Sequence, residues 1–204
     1  MRSPKARDQG PRERPILFNE TMVRRLLDGR KTQSRRPLSA QPAPNRPHDG
    51  GTVWRLDPRT GRHVPYGSVS HLTAREKMGI CCPYSLPGDR LWVRETWCQR
   101  KDQALYRADG DVHGPWRPAI HMPRSAARIL LVLTAVRIER LHTISEDDTV
   151  AEGVTPTSWI SSPDPATHRE RFTSMWQSIY GATSWSANPW VWVLSFQRAD
   201  RDPA

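Results

Sequence analysis

The sequence predicts an α+β fold, a small mixed barrel in which four or five strands combine with about three helices. Strand patterns occur at residues 14–18, 90–97, 128–141 and 190–196. Within the third segment, residues 129–133 form a continuous apolar run, which is typical of a strand covered on both faces. Helical segments do not alternate regularly with these strands, so a mixed sheet is favoured over a doubly wound parallel one.

The first two elements are a short strand and a capped helix. Asn19 follows the strand at residues 14–18 and is placed to cap a helix. Gly29 lies just past the end of that helix, where glycine tolerates the left-handed conformation that terminates many helices. The apolar face of the predicted helix comprises Met22, Val23, Leu26 and Leu27.

Residues 37–72 are rich in proline and glycine and show no helical period, so we interpret them as an insertion outside the core. Within the insertion, residues 52–56 and 62–66 flank the sequence Asp-Pro-Arg-Thr-Gly. That sequence has the proline and glycine placement of a hairpin turn.

Two helices are predicted after the long strand. Ser145 and Asp148 have the spacing of a capping box for a short helix that ends at Gly153. Asp164 and Pro165 fit the cap and first position of a later helix. The residues of this helix expected to face the core are Phe172, Met175, Trp176 and Ile179.

The length of 204 residues suits one domain, which we place at residues 14–198. Residues 1–13 are predicted to be a disordered basic arm and residues 199–204 a polar tail. The net charge of +10 favours a polyanionic partner, although a GC-rich coding sequence would also enrich arginine. We therefore expect RNA, single-stranded DNA or a nucleoside as the partner, and leave protein partners open.

Cysteine usage and hydropathy indicate the compartment. Cys81, Cys82 and Cys98 are an odd number without a CxxC spacing, so neither a disulfide framework nor a zinc ribbon is indicated. There is no run of eighteen apolar residues, and residues 1–14 lack the apolar core of a signal peptide. We expect a cytoplasmic protein that spans no membrane and uses neither a metal nor another cofactor.

Residues 29–36, with the sequence GRKTQSRR, are the most informative segment. They follow a helix end with a lysine, two hydroxyl side chains and three arginines. Arginine forks bind phosphate or carboxylate in a bidentate way, so this segment predicts an anion pocket.

The order of motifs resembles the ASCH domain, a branch of the PUA-like β-barrels, over roughly residues 14–198. The resemblance depends on five features: Gly29-x-Lys31-x-x-Ser34-x-Arg36, Gly88-Asp89-x-Leu91, the long strand followed by Ser145-Glu146-Asp147-Asp148, Ala151-Glu152-Gly153, and the terminal strand. The surrounding phrases are similar to phage and prophage ASCH proteins; they include Trp92-Val93-Arg94-Glu95-Thr96-Trp97 and Asn188-Pro189-Trp190-Val191-Trp192.

This resemblance implies nucleic-acid or modified-base binding, ribonuclease activity, or amidohydrolysis of N4-acetylcytidine. In the amidohydrolase branch a lysine, a threonine and a glutamate carry the reaction. The matching positions here are Lys31, Ser34 and Glu152, with serine replacing threonine. A purely binding module, without catalysis, is the alternative that the resemblance leaves open.

The chemistry of this trio can also be argued from the residues. A serine hydroxyl needs a base to become a nucleophile, and a desolvated lysine can serve as that base. Glu152 would orient Lys31 or pass a proton to the leaving amine. On a regular strand residues 31 and 34 point to opposite faces, so joint action requires a bulge or turn. The alternative is that Lys31 is a solvated cation and Ser34 a turn hydroxyl.

Other candidate ligand-binding residues surround the trio in the sequence. His121 is either an acid–base group or a structural histidine, and Glu95 is either paired with a buried arginine or an edge charge. Tryptophans 97, 116 and 185 either stack on a base or fill the core, and the core is the favoured alternative for each of them. The remaining candidates, which would contact an anion or simply be exposed, are Gly29, Thr32, Arg35, Arg36, Arg94 and Arg124.

Overall fold

A computed structural model describes residues 10–42, 52–67, 69–70, 72–110, 114–154 and 167–199. Within these residues the chain forms ten strands and four α-helices, which confirms the predicted α+β class. The strand number exceeds the expected four or five, because several short segments with weak patterns also pair. The strands of the described residues form no closed barrel, so the PUA-like barrel stays a prediction.

Five strands form one sheet, in the order β1-β6-β9-β10-β2. Their bounds are Glu13–Leu17 for β1, Gln33–Pro37 for β2, Arg90–Arg94 for β6, Leu130–Arg140 for β9 and Trp190–Arg198 for β10. The four strands predicted at residues 14–18, 90–97, 128–141 and 190–196 therefore do share a sheet, as expected.

The chain divides into two compact units. The first unit comprises residues 1–32, 83–134 and 196–204, and the second comprises residues 33–82 and 135–195. The single domain predicted at residues 14–198 stays a prediction.

In the first unit, β1 runs parallel to β6, and β6 pairs antiparallel with the beginning of β9. The helix α1 spans Glu20–Leu27 and is capped as predicted, because the Asn19 side chain accepts a hydrogen bond from the Met22 amide. Gly29 adopts the expected left-handed conformation, with φ of 72°. A hairpin of β7 at Trp97–Arg100 and β8 at Gln103–Tyr106 completes the unit.

In the second unit, β2 pairs antiparallel with β10. A separate three-stranded sheet contains β3 at Thr52–Asp57, β4 at Arg62–Gly67 and β5 at Ile80–Cys81. The helices are α2 at Ala74–Lys77, α3 at Glu146–Ala151 and α4 at His168–Tyr180. An apolar core cluster joins α4 and β10 with the segments just before and just after α3; it comprises Leu141, Ile144, Val154, Phe172, Trp176, Val191 and Val193.

Local helix signals are largely confirmed. The capping box of Ser145 and Asp148 is present at α3, and α4 begins after Thr167, which forms a second capping box with Glu170. Asp164 and Pro165 lie outside the described residues. On α4, Ile179 is 42% exposed, so its predicted place in the core is wrong.

The interpretation of residues 37–72 as an insertion outside the core does not hold for the described hairpin at residues 52–67. The predicted hairpin forms, and alternate residues on it are buried: Trp54 is 5% exposed and His63 is 1% exposed. Trp54 packs edge-on against Trp190 at 6.2 Å, and His63 packs edge-on against Trp192 at 5.0 Å. Proline and glycine mark the turns here, whereas the period of two within the strands buries one face.

His63 makes the second unit sensitive to acid. Its Nε2 lies 2.9 Å from the Val136 carbonyl oxygen, which requires Nε2 to carry the proton, while Nδ1 is buried without a hydrogen-bond partner. Burial lowers the pKa of His63 from its ordinary 6.5, although the bond to Val136 acts in the opposite direction. The unfolded chain therefore binds a proton that the folded chain resists, so stability is present above about pH 6.5 and falls as the pH decreases.

We expect the free energy of unfolding of the wild type to decrease as the pH falls below about 6.5. His63→Gln keeps an amide donor for the Val136 carbonyl oxygen but cannot titrate. The free energy of unfolding of this variant should therefore lack the decrease that protonation of His63 causes. Urea melts at several pH values measure both proteins. Parallel pH profiles for the two proteins would contradict the prediction.

No helix in the described ranges has the length and hydropathy needed to cross a bilayer.

Candidate functional site

The cationic segment at residues 29–36 begins with a tight reversal of the chain after α1. The amides of Arg30 and Lys31 both donate to the Arg25 carbonyl oxygen, at 2.9 and 3.1 Å. The positive φ of Gly29 makes this reversal possible, because a residue with a side chain is strained in that conformation. The reversal turns the following residues inward instead of leaving them in solvent.

Lys31 is buried in the first unit, with only 3% of its surface exposed. Its Nζ atom lies 5.5 Å from the centre of the Phe18 ring, and Phe18 packs edge-on against Phe196. The Phe196 amide donates to the carbonyl oxygen of Thr32, which holds the segment in place. The alternative of Lys31 as a solvated surface cation is therefore wrong, and its amino group lies against an aromatic ring.

Ser34 and Arg35 lie on β2 in the second unit and are each 3% exposed. They are opposite Leu194 and Val193 of β10 in the antiparallel register. Consecutive strand residues point to opposite faces, so the Ser34 hydroxyl and the Arg35 guanidinium serve different surroundings.

Arg35 is the centre of a buried polar cluster, which we call the Arg35 cluster. It comprises Gln33, Arg35, Arg137, Glu139, Asp148 and Glu152. The Arg35 side chain is fully buried, and its nitrogens lie 2.7 Å from Asp148, 3.5 Å from Glu152 and 3.6 Å from Glu139. Gln33 accepts a further hydrogen bond from Arg35 at 2.5 Å. Three carboxylates thus surround one buried guanidinium, with Arg137 at the more exposed edge.

Asp148 has two functions in this cluster. Asp148 is the third residue of α3, and its side chain completes the capping box with Ser145; it also contacts Arg35, Arg137 and Gln33. Burial alone raises the pKa of Asp148, but the charge and hydrogen bond of Arg35 outweigh it, together with the bond from the Ser145 amide. The net direction is a pKa below the ordinary 3.8, so Asp148 is a stable anion.

Glu152 caps the C-terminal end of α3 and is 3% exposed. Since α3 packs against β2, Glu152 and Ser34 belong to neighbouring elements of one unit. Lys31 belongs to the other unit. All three residues of the trio are buried, which would be unusual for ordinary surface lysine, serine and glutamate side chains.

The other predicted residues differ in their surroundings. Arg94 is half-buried over the Trp92 ring at 4.6 Å and donates to the Ile120 carbonyl, whereas His121 is exposed. Arg124 is exposed and pairs with Glu13 at 2.7 Å. Gly29 and Thr32 are exposed, and Arg36 is half-buried. Gly29, Thr32, Arg94, His121 and Arg124 belong to the first unit, whereas Arg35 and Arg36 belong to the second.

Glu95 is 1% exposed and accepts two hydrogen bonds from Arg128, both at 2.9 Å. This pairing with an arginine confirms one of the two alternatives given for Glu95, and the edge-charge alternative is wrong. Arg128 also binds Asp109 at 2.8 Å and lies over the Tyr106 ring at 3.9 Å. Burial raises the pKa of Glu95 even though Arg128 opposes that change.

Sequence reasoning missed several residues of these clusters, namely Gln33, Arg128, Arg137 and Glu139. Asp148 was recognised only as a helix cap. One signal was present: Arg137 and Glu139 alternate with apolar residues on a long buried strand, where charged side chains require partners. The stacking role for Trp97 is also wrong, because Trp97 is 4% exposed.

In the described part of the chain, no three His, Cys, Asp or Glu side chains are arranged to hold a metal ion. The carboxylates of the Arg35 cluster face guanidinium groups instead.

Comparison of the chain with protein-family models, with curated protein sequences and with solved structures finds no match. The resemblance to the ASCH domain therefore depends on the motifs alone.

Proposed function

We propose that this chain is an ASCH-type, PUA-like domain that recognises a nucleic-acid base or a nucleoside. The observation that carries the proposal is the burial of Lys31, Ser34 and Glu152, each 3% exposed. Groups of this kind are normally exposed, and burying them costs free energy unless they have a structural or functional use. The net charge of +10 supports a polyanionic ligand.

Lys31 is the residue best suited to bind an anion in this proposal. Its Nζ atom lies over the Phe18 ring, and the Gly29 reversal fixes the backbone beside it. An amino group in this position would bind a phosphate or a carboxylate in recognition, or accept a proton in catalysis. The substitutions tested below distinguish these two uses of Lys31.

Hydrolysis of an acylated cytidine is the second candidate function. Ser34 supplies a buried hydroxyl and Glu152 a buried carboxylate on neighbouring elements. In this reaction the neutral amine of Lys31 takes the proton from Ser34 Oγ as that oxygen attacks the acyl carbon. The amide C–N bond then breaks, and the amine leaves with that proton, passed on through Glu152; water finally hydrolyses the acyl-serine and restores the hydroxyl. The contact of Glu152 with Arg35 weighs against it, because that ion pair occupies the carboxylate in a structural cluster.

The proposal places the protein in the cytoplasm. The three cysteines Cys81, Cys82 and Cys98 are free thiols, which suits a reducing compartment.

The test measures binding and turnover on the same proteins. A fluorescent single-stranded oligonucleotide is titrated at several salt concentrations; with about three phosphate contacts, affinity should fall roughly 20-fold between about 50 and 200 mM salt. N4-acetylcytidine and short RNAs are then incubated with the protein to detect deacylation or strand cleavage. Recognition predicts that Lys31→Arg, which keeps the charge, retains much of the affinity while Lys31→Met loses it.

Catalysis predicts a different pattern. Lys31→Arg and Ser34→Ala should both reduce deacylation by about 100-fold or more, because arginine does not deprotonate. Arg100→Ala, on an exposed strand end, is the control, and circular dichroism checks the fold of each variant. An affinity for the oligonucleotide that does not change with salt concentration, or no binding at low salt, would refute recognition. Absence of turnover by the wild type would remove only the hydrolase candidate.

A further inference from the structure

The hairpin of β3 and β4 has one buried and one exposed face, and the exposed face carries no assigned function. The register places Val53 opposite Tyr66 and Arg55 opposite Val64, so these four side chains share the outer face. Val53 is 54% exposed and Tyr66 is 51% exposed, whereas Trp54 and His63 on the inner face are buried. The buried inner face anchors the hairpin to β10, so the outer face is a fixed platform.

Tyr66 and Arg55 form a stacked pair on this platform. The Arg55 guanidinium carbon lies 5.3 Å from the centre of the Tyr66 ring, on an exposed surface. The pair thus presents an aromatic ring next to a cation. A single-stranded nucleic acid is complementary to both, because each nucleotide has a base that can stack on the ring and a phosphate that can pair with the cation.

Charge around the platform is positive. The described residues between 52 and 82 contain five cationic side chains and two carboxylates, a net charge of +3. Both carboxylates are used locally: Asp57 accepts hydrogen bonds within the turn, and Glu76 completes a capping box with Thr73. Arg62 donates to the carbonyl oxygens of Met78 and Gly79. The remaining cations, Arg55, Arg59, Arg75 and Lys77, are exposed.

We propose that the outer face of the β3–β4 hairpin binds single-stranded nucleic acid, with a base on Tyr66 and the neighbouring phosphates on Arg55 and Arg59. This surface is distinct from the cationic segment at residues 29–36. For its class of ligand the inference rests on the proposed function. An acidic peptide would satisfy the cations but would gain little from the Tyr66 ring, so the exposed aromatic side chain favours a nucleobase.

The experiment titrates a fluorescent single-stranded oligonucleotide into the full chain carrying Tyr66→Leu, Tyr66→Phe or Arg55→Ala, with Arg100→Ala as the matched arginine control. Tyr66→Leu keeps an apolar side chain but removes the ring, and should weaken binding about 5-fold or more. Tyr66→Phe should bind like the wild type. Arg55→Ala should lower the slope of log affinity against log salt by about 0.7, whereas Arg100→Ala should leave it unchanged.

A second arm uses an oligonucleotide with 5-bromouracil, which cross-links to stacked aromatic side chains on irradiation. The cross-linked peptide should contain Tyr66. If the wild type binds the oligonucleotide but Tyr66→Leu and Arg55→Ala bind equally well, the hairpin inference fails while the proposed function survives. Competition by polyglutamate as effective as that by the nucleic acid also overturns the inference. If the wild type binds no oligonucleotide at all, both proposals fail.

Discussion

Arg35→Met should lower the free energy of unfolding by about 3–5 kcal/mol at neutral pH, because it leaves buried carboxylates without their cationic partner. The wild-type guanidinium is fully buried and contacts Asp148, Glu152 and Glu139. Methionine fills much of the same volume as arginine. The loss of stability is therefore caused more by the missing charge than by missing packing contacts. Urea denaturation followed by circular dichroism measures the change.

The pH dependence of this loss has a defined sign. In the wild type the pKa of Asp148 lies below 3.8, so the cluster stabilises the fold above about pH 3.8 and this stabilisation is lost as the pH falls. In the variant, Asp148 is still buried but has lost the guanidinium of Arg35, so burial favours its protonated form. The difference between the two proteins should therefore shrink as the pH is lowered towards 4.

Arg137→Met is the matched control for Arg35. Arg137 also contacts Glu139 and Asp148, but its side chain is 36% exposed, so solvent screens the interaction. Its replacement should cost less than about 1 kcal/mol. Equal losses for Arg35→Met and Arg137→Met would show that burial of the guanidinium does not decide the stability of the cluster.

Arg128→Met should have a similarly large effect in the first unit, about 3–5 kcal/mol at neutral pH. The Glu95 side chain is 2% exposed and depends on the two hydrogen bonds from Arg128. Without Arg128, burial acts unopposed on Glu95 and raises its pKa further. The variant should then lose stability as the pH rises from about 4.5, since the unfolded chain releases the proton more readily. Thermal melts over a pH series measure this.

The double variant Glu95→Gln with Arg128→Met tests the cause. Glutamine removes the unpaired buried charge of Glu95, so the double variant should recover most of the lost stability. Arg124→Met serves as an exposed control, because its pair with Glu13 has both side chains more than 30% exposed. A double variant as unstable as Arg128→Met alone would assign the loss to packing of Arg128 over Tyr106.

The elements that could be predicted from the sequence are those specified by neighbouring residues. Asn19 and Gly29 bound the first helix, Ser145 and Asp148 begin the third, and the turn after Asp57 closes the hairpin. Each signal acts over five residues or fewer, so composition and spacing were sufficient.

The Arg35 cluster could not be predicted, because its partners are far apart in the sequence. Arg35 and Asp148 are 113 residues apart, and nothing near Arg35 indicates which carboxylates it meets. For a related reason the sequence left two alternatives for Lys31, a desolvated base or a solvated cation, because the backbone reversal that buries this residue cannot be inferred from composition. For the hairpin, the density of proline and glycine obscured the alternate burial of Trp54 and His63.

The pairing of β2 with β10 has a consequence for synthesis on the ribosome. Ser34 and Arg35 emerge early, but the strand opposite them, Trp190–Arg198, is translated more than 150 residues later. At roughly 5–20 residues per second, the nascent chain holds these polar groups without their final neighbours for about ten seconds or more. Such late, long-range closure is slow, so the edge of β2 stays unpaired with β10 during that interval.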